Sequence, residues 1–254
     1  MIKLFRNIRK KLVAENNSVN RNTNYFKYAI GEIILVVIGI LIALQINNWN
    51  ELKKTSILET KILKELHNNL ILDIFEIHSD VTYMDSINKA CSTIRTYLET
   101  YDLPNDTLFN TLSILRVTPH FDPNKSGYQL LQSKGVEVIS NDSLRNAISL
   151  LYERSYPYYK RYEEERLRFH ALHSEPQLLK YLYMNFDIGA TFYGKFIITN
   201  EDYKKLKQDS SFLKLLAAIT FENSSVQNRG EKTEKSMRML LSFLENEINQ
   251  KDNN

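Results

Sequence analysis

The residues best suited to metal chemistry are two histidines and two glutamates. His170 and His173 are three positions apart and so share a helix face, and Glu163 and Glu175 are near enough to complete a ligand set. The stretch that begins at Glu163 is dense in charge, however, which is typical of a solvated face. The chain has no H-E-x-x-H motif and no glycine-rich phosphate loop. We therefore predict no metal site and no cofactor.

Candidate nucleophiles are not placed for catalysis either. No serine lies in a G-x-S-x-G elbow. The single cysteine, Cys91, falls on the apolar stripe of a predicted helix, so we expect a core residue there. One cysteine also excludes an intramolecular disulfide and a cysteine-based zinc site. The sequence predicts a protein that is not an enzyme and has no catalytic residues, and a membrane-tethered hydrolase is the least favoured alternative.

A concentration of tyrosines indicates a candidate interaction surface. Its members lie beside Arg154, Lys160 and Arg161, and mixtures of aromatic and basic side chains are enriched where proteins contact partners. The five tyrosines are Tyr152, Tyr156, Tyr158, Tyr159 and Tyr162. The alternative is that one side of this stripe is core and the rest is ordinary amphipathic surface.

Composition limits the elements that can position these residues. The chain has 254 residues, of which only seven are glycine and five are proline. Tight turns and β-hairpins need such residues, so long helices are favoured over a mostly β fold. The net charge of +3 is too small to indicate nucleic-acid binding.

The strongest feature of the sequence is an apolar run near its N-terminus. The run Ile33–Leu44 is unbroken and extends to Ala29 and Ile46, which is long enough to cross a bilayer. Aromatic residues flank it on both sides, as at membrane interfaces. A buried helix of a soluble core is the alternative. The polar residues that follow do not form a signal-peptidase site, so we predict an uncleaved transmembrane anchor at residues 29–46.

Charge predicts how the anchor is oriented. Seven lysines and arginines precede it against one glutamate, whereas lysines and glutamates alternate after it. The positive-inside rule then places the N-terminus in the cytoplasm and residues 47–254 in the periplasm, as a single-pass protein of the bacterial inner membrane. Residues 1–15 form a predicted basic amphipathic helix on the lipid bilayer, or else a solvated positive tail. Residues 16–28 are a predicted polar linker.

The anchor carries a candidate face for self-association. Glu32, Val36, Gly39 and Ala43 lie on one side of the helix, and Gly39-x-x-x-Ala43 is a pair of small residues that lets two membrane helices approach closely. The alternative for Glu32 is that its carboxylate reaches the headgroup boundary and contacts no helix. A homodimer is accordingly among the expected partners.

The region after the anchor predicts a bundle of long antiparallel helices. Apolar residues recur at intervals of three and four from Ile57 to Leu98, and again from Phe212 to Ile248 with Gly230 as a weak point. Each stretch predicts a helix of about 40 residues, and the two can pair as the spine of a bundle. The predicted fold class is therefore all-α, with one N-terminal transmembrane helix and an extracytoplasmic helical domain.

Shorter elements are predicted between the two long helices. Two short helices come first: Asp106 to Leu115 with Asp106 as its cap, and Ser126–Lys134, which is ended by Gly135. Three further helices are Leu144 to about His170, capped at Asn141–Ser143 with a kink or break at Pro157, then Ser174 through Met184, and one capped by Thr199 and Asp202. The other predicted elements are an extended piece at Val136–Ile139 and a loop or strand at Gly189–Ile198.

Two stretches carry a family resemblance. They are YAIGEIILVVIGILIALQINNWNE from Tyr28 to Glu51, after the basic opening MIKLFRNIRKKL, and SGYQLLQSKGVEVISNDSLRNAISLLYE from Ser126 to Glu153. Both resemble an uncharacterised family of single-span membrane proteins of flavobacteria and other Bacteroidota, the domain of unknown function 6090. The resemblance implies an inner-membrane anchor with a helical outer domain, and it implies no activity and no functional residue.

These features favour a membrane-anchored, non-enzymatic interaction or scaffold protein that works in the periplasm. Its expected partners are the lipid bilayer and another membrane or periplasmic protein, with no nucleic acid. The alternative is a periplasmic sensory or ligand-binding helical domain. Because the cytoplasmic part is too short for an output domain, such a sensor would need a partner to carry its signal.

Overall fold

The computed structural model describes residues 21–185 and 194–253. The chain divides into two compact units, Met1–Ile57 and Leu58–Asn254. The predicted basic helix at residues 1–15 and the first part of the predicted linker, residues 16–20, lie outside the described residues.

The described part of the first unit is helical. Helix α1 begins at Arg21 and ends at Thr100, so residues 21–28 are helical although the sequence predicts a linker there. Within α1 lies an apolar window with a mean hydropathy of 2.6 and no buried residue. In the described part of the chain, α1 is the one helix long and apolar enough to cross a membrane. The predicted anchor is thus compatible with a single membrane span.

The second unit contains, besides the C-terminal part of α1, a series of helices that follow one another to the end of the chain. They are α2 (Asp106–Ile114), α3 (Ser126–Lys134), α4 (Asp142–Ser149), α5 (Tyr156–Phe169), α6 (Glu175–Leu179), α7 (Asn200–Gln208) and α8 (Ser210–Asp252). The fold is therefore nearly all-α, as the scarcity of glycine and proline predicts.

Side-chain caps fix where several helices begin. Asn141 caps α4 and Thr199 caps α7, and each accepts a hydrogen bond from the backbone N–H three residues further on, as predicted. The cap of α2 is Asn105 and not the predicted Asp106, because the Asn105 side chain accepts from two N–H groups of the first turn. Asp106 instead takes the first helical position.

A short strand takes the place of the end of one predicted helix and pairs with a second short strand. Strands β1 (Tyr183–Asn185) and β2 (Lys195–Ile197) pair antiparallel, with Met184 opposite Phe196. The prediction of a helix through Met184 is wrong, since α6 ends at Leu179. In the range Gly189–Ile198, for which the sequence predicts a loop or a strand, Lys195–Ile197 forms the strand β2, and residues 189–193 lie outside the described residues. The β2 strand is held in part by a hydrogen bond from the Phe196 N–H to the Ser113 hydroxyl, 2.9 Å long.

The predicted extended piece after α3 is also wrong. Val136–Val138 forms one turn of 3₁₀-helix, because Gly135 leaves α3 with a φ of 91° and turns the chain sharply. The N–H groups of Val138 and Ile139 then donate to carbonyls three residues back. This turn places Ile139, which is fully buried, in the core.

Two π-helical turns flank α5, at Leu150–Ser155 and His170–Ser174. Each precedes a proline at the second position of the next α-helix, Pro157 in α5 and Pro176 in α6. A proline lacks the backbone N–H, and its ring crowds the carbonyl four residues earlier, so the wider π turn accommodates it. The predicted kink at Pro157 therefore takes the form of a π turn just before it.

Helices α1 and α8 contact each other along most of the second unit. As residue numbers rise along α1, those of the contacted α8 residues fall. The polar contacts include Lys64 with Asp252 at 3.0 Å, His67 with Glu245 at 3.5 Å, His78 with Glu234 at 3.2 Å and Asn88 with Ser224 at 3.1 Å. Helix α8 passes through Gly230 unbroken. A Cβ there would lie 2.9 Å from the Val81 Cγ2 and 3.2 Å from the Tyr159 hydroxyl, so the close packing at this position favours glycine.

The second unit has two apolar cores. The first contains α1 residues from Ile62 to Met84 and α8 residues from Val226 to Leu244. The second contains α1 residues from Ile87 onward and the N-terminal part of α8. The change from one core to the other takes about one turn of α1, between Met84 and Ile87, and about two turns of α8, between Ile219 and Val226.

Candidate functional site

Polar residues separate the two apolar cores. Asn223 of α8 is 2% exposed, and its Nδ2 donates to the Met84 carbonyl at 2.6 Å and to the Asn88 Oδ1 at 3.1 Å. These bonds fix the orientation of the amide and leave the Asn223 Oδ1 without a hydrogen-bond partner among the described residues. We call Asp80, Asn88, Glu163, Arg166 and Asn223 the polar layer.

Carboxylates of α1 hold the segment that joins α2 to α3, residues 115–125, here called the connecting segment. Asp73 is fully buried, and its Oδ1 accepts from the backbone N–H and the side-chain Nδ2 of Asn124 at 2.9 and 2.7 Å. Glu76 accepts from the N–H of Asp122 at 3.3 Å. Residues 115–125 form neither a helix nor a strand, so their backbone N–H groups have no partners in regular secondary structure. The carboxylates of Asp73 and Glu76 supply partners for two of them.

Helix α5 holds the connecting segment from its other side. Glu163 is 3% exposed, and its Oε1 accepts from the N–H of Phe121 at 3.0 Å. Arg166 is 5% exposed and donates from Nη2 to the carbonyl of Pro119. The Arg166 Nε is buried without a partner among the described residues. One turn of α5 thus supplies an acceptor and a donor to the same short stretch of backbone.

Burial shifts the pKa values of the acidic groups in this region upward. The pKa of Glu163 rises to about 7 through desolvation, partly opposed by the hydrogen bond from Phe121. The pKa of Asp80 rises to about 6 through desolvation and the neighbouring charge of Glu76, opposed by His120 and Arg166. Buried carboxyls near neutrality are possible proton acceptors.

The five candidate interface tyrosines are divided between core and surface. Tyr152, Tyr156 and Tyr159 are 5%, 3% and 0% exposed, so they cannot present their rings to a partner. The prediction that these three tyrosines form part of an interaction surface is therefore wrong. They lie in the core, as the alternative prediction states for one side of the stripe. The Tyr152 ring stacks on Tyr128 at 4.5 Å, and the Tyr156 hydroxyl donates to Asp73 at 2.9 Å.

The other two tyrosines form a small surface patch. Tyr158 is 46% exposed, and its hydroxyl lies 3.4 Å from that of Tyr162. The Arg229 guanidinium of α8 lies 3.5 Å from the centre of the Tyr162 ring, a cation–π contact. Of the predicted interaction surface, only this pair remains accessible.

The two histidines and two glutamates considered as metal ligands do not come together as a site. The His170 Nδ1 lies 2.9 Å from the Ser174 hydroxyl, and Glu163 is engaged by the connecting segment. Within residues 21–185 and 194–253, no group of three or more His, Cys, Asp or Glu side chains is arranged to hold a metal ion. Cys91 is buried in the second core, as predicted.

The candidate association face lies in the first unit. Glu32, Val36, Gly39 and Ala43 are all exposed, and no atom of the described chain lies within 4 Å of the position that a Cβ at Gly39 would occupy. The structure thus leaves room for another helix beside Gly39.

Of the polar layer, only Glu163 is singled out in the sequence, as a possible metal ligand; Asp73 and the other members of the layer are not predicted. Their signal is a charged or amide residue inside an otherwise apolar stripe: Asp73 precedes Ile74, and Asn223 lies between Ile219 and Val226 on α8. Such positions are usually solvated, and only the tertiary structure shows that these are buried.

The raised pKa values predict that stability falls as pH rises. A carboxyl with a raised folded pKa stabilises the fold below its unfolded pKa, and that contribution is lost as pH rises through the folded pKa. For Glu163 this pH window runs from the ordinary glutamate pKa of 4.5 to the raised pKa of about 7. We expect the unfolding midpoint of the full-length protein in detergent to shift with pH less in the Glu163→Gln variant than in the wild type.

Two comparisons make this measurement specific to Glu163. The exposed neighbour Glu164 provides the matched control, because Glu164→Gln should leave the pH dependence unchanged. His170 acts in the opposite direction, since burial lowers its pKa, and it is present in every variant. Equal slopes in Glu163→Gln and the wild type would contradict the prediction.

The chain matches a known protein family. A family model described as "Family of unknown function (DUF6090)" matches residues 32–225, about three quarters of the chain. No curated protein and no solved structure matches.

Proposed function

The chain belongs to the family of unknown function DUF6090, and we propose that it is a membrane-anchored, non-enzymatic interaction or scaffold protein. The anchor is residues 29–46, a single pass through the bacterial inner membrane. The observation that carries the proposal is the apolar window of α1, whose residues are all unburied in the described structure. Such a surface is stable in lipid and costly in water.

The proposed topology places the N-terminus in the cytoplasm and residues 47–254 in the periplasm. The excess of lysine and arginine before the anchor supports this orientation. In this proposal the helices of the second unit form an antiparallel bundle outside the cytoplasm. The order of the contacts supports that arrangement, because residues further along α1 contact residues that come earlier in α8.

The roles of four ionisable groups around the connecting segment support a non-enzymatic function. Asp73, Glu76 and Glu163 accept backbone hydrogen bonds of the connecting segment, and Arg166 donates one. Each therefore has a structural task in the fold. We propose that the protein acts by binding another membrane or periplasmic protein.

Affinity purification from detergent, with crosslinking and mass spectrometry, tests the partner proposal. We expect a membrane or periplasmic protein to be recovered in stoichiometric amount with the full-length chain. The Tyr158→Ala variant removes the exposed member of the accessible pair, and Glu164→Gln is its control on the same helix. If no other protein is recovered in stoichiometric amount, the scaffold role is contradicted.

Self-association of the anchor is a separate proposal. Glu32, Val36, Gly39 and Ala43 would form the contact, and a large side chain at Gly39 would keep two helices apart. In a transmembrane reporter assay on residues 25–50, we expect Gly39→Ile to lower dimerisation. Leu41→Ile, on the opposite side of the helix, should change it little. Equal behaviour of the two variants would refute the proposed face.

A second candidate function is a sensory or ligand-binding domain that acts through a partner. One observation favours it: the second unit contains a small pocket lined in part by Arg166 and Asn223, and each of these residues has one buried polar atom with no hydrogen-bond partner among the described residues.

A further inference from the structure

Two arginines lie beside the accessible tyrosine pair of α5. The Arg161 guanidinium is 5.8 Å from the centre of the Tyr158 ring, and the Arg229 guanidinium of α8 is 6.0 Å from the same centre. Arg229 is also 3.5 Å from the centre of the Tyr162 ring. We call Tyr158, Arg161, Tyr162 and Arg229 the basic patch.

Neither arginine of the basic patch forms an ion pair within the described residues. In this part of the chain, no carboxylate lies within ion-pair distance of Arg161 or Arg229. Arg145 and Arg238, by contrast, each form an ion pair of 2.6 Å with a carboxylate of their own helix. The basic patch therefore carries two positive charges that no described carboxylate neutralises at close range.

This positive charge acts on the Tyr158 hydroxyl. The pKa of Tyr158 lies below its ordinary value, because Tyr162 and Arg229 form hydrogen bonds with the hydroxyl and because the charges of Arg229 and Arg161 favour the phenolate. The Tyr158 side chain is 46% exposed, and its hydroxyl is 3.4 Å from that of Tyr162. Since arginine stays protonated in proteins, the patch presents hydroxyl donors beside two permanent cations.

We propose that the basic patch binds an acidic side chain, aspartate or glutamate, on the surface of a partner protein. The carboxylate accepts hydrogen bonds from the Tyr158 hydroxyl and from the exposed Arg161 guanidinium. Arg229 adds a second positive charge within about 6 Å of the same ring, where it attracts the same carboxylate. This inference gives the partner of the proposed function its chemistry and rests on that function.

The surroundings of the patch favour a protein over a lipid surface. Glu164 and Glu165 are exposed and follow Arg161 within about one helical turn, so they repel a broad anionic surface such as a bilayer of acidic lipids. A single carboxylate on a protein is small enough to meet the arginines without covering these glutamates. Tyrosine and arginine are also enriched among the residues that contribute most to protein–protein binding.

Titration with a short acidic peptide tests the proposal, followed by NMR of the tyrosine ring signals in the full-length protein in an uncharged detergent. The probe is the peptide acetyl-Ala-Phe-Glu-Ala-amide, and its matched control has Gln in place of Glu. We expect the Glu peptide to give saturable shifts of the Tyr158 and Tyr162 signals and no shift of Tyr203, which is fully buried in the second core. The Gln peptide should bind about tenfold more weakly, because a neutral amide replaces the charged acceptor.

A pair of charge reversals on α5 shows whether the shifts report this patch. Arg161→Glu replaces attraction by repulsion and should weaken binding of the Glu peptide about tenfold or more. Arg168→Glu is the matched control, because it changes the net charge equally at an exposed arginine two turns further along the helix, and it should retain binding. Arg161 is exposed, so neither variant removes a side chain from the core.

Four results would overturn the proposal. They are the absence of any saturable shift with the Glu peptide, equal binding of the Gln peptide, equal effects of Arg161→Glu and Arg168→Glu, and equal or tighter binding of glycerophosphoglycerol, the soluble headgroup of an acidic lipid. The last result would assign the patch to a lipid surface.

The failure of this inference can be told apart from the failure of the proposed function. If the affinity purification recovers a partner that binds Arg161→Glu as tightly as the wild type, the basic patch is not the docking site and the scaffold role stands. If no partner is recovered although the peptide binds as expected, the scaffold role is contradicted and the patch remains an acceptor of acidic side chains.

Discussion

Replacing Gly127 with alanine is expected to lower the free energy of unfolding by about 2 kcal/mol, because the new methyl group has no room. Gly127 is buried in the first turn of α3, where the helix contacts α1. A Cβ there would lie 2.9 Å from the Leu66 backbone nitrogen and 3.2 Å from the Leu66 Cα. A neighbouring side chain can rotate away from such a clash, whereas the backbone of a long helix cannot, so α3 must move.

Movement of α3 has a further cost. The Gly127 N–H donates to the Asn69 Oδ1 at 3.0 Å, and Ser126 donates to the same atom at 3.1 Å. Shifting α3 away from α1 lengthens both bonds. Urea unfolding of the full-length protein in detergent, followed by circular dichroism, measures the loss.

The matched control is Gly31→Ala in α1. Apart from the neighbouring backbone of α1 itself, no atom of the described chain lies within 4 Å of the Cβ position at Gly31, and alanine favours helix more than glycine does. We expect Gly31→Ala to leave the unfolding midpoint unchanged. A Gly127→Ala variant as stable as the wild type would show that α3 does not pack on α1 in this way.

The long helices could be predicted because their signals are local. The apolar stripe from Ile57 to Leu98 and that from Phe212 to Ile248 each repeat over many turns, so single exceptions such as Gly230 do not obscure the period. The helix caps Asn141 and Thr199 were predictable for the same reason, since a cap acts on backbone groups only three residues away.

The elements that were predicted wrongly depend on distant parts of the chain. Val136–Val138 reads as extended from its β-branched residues, but the φ of Gly135 and the burial of Ile139 impose a turn. The sequence predicts Met184 as the end of a helix, but its pairing with Phe196 places it in a strand. Neither pairing nor burial is visible in a local window.

The candidate site was predictable only in part. A tyrosine stripe can be seen in the sequence, but its division into buried Tyr156 and exposed Tyr158 depends on where Asp73 lies, 83 residues away from Tyr156 along the chain. Likewise, Arg166 and Asn223 line one pocket only because α5 and α8 pack together. Helix periodicity assigns faces and does not assign neighbours.

The family assignment agrees with the predicted resemblance, and it leaves the location of the outer domain as a proposal. That location is the central claim, because a periplasmic partner or ligand requires residues 47–254 to lie outside the cytoplasm. Reporter fusions at the C-terminus test it. Alkaline phosphatase is active only outside the cytoplasm, and a green fluorescent protein is fluorescent only inside it.

We expect the full-length chain fused to alkaline phosphatase to be active and the same chain fused to the fluorescent protein to be dark. Deleting residues 29–46 should reverse both readings, because the outer domain would then stay in the cytoplasm, and this deletion controls for fusion expression. An inactive phosphatase together with a bright fluorescent fusion on the full-length chain would contradict the account.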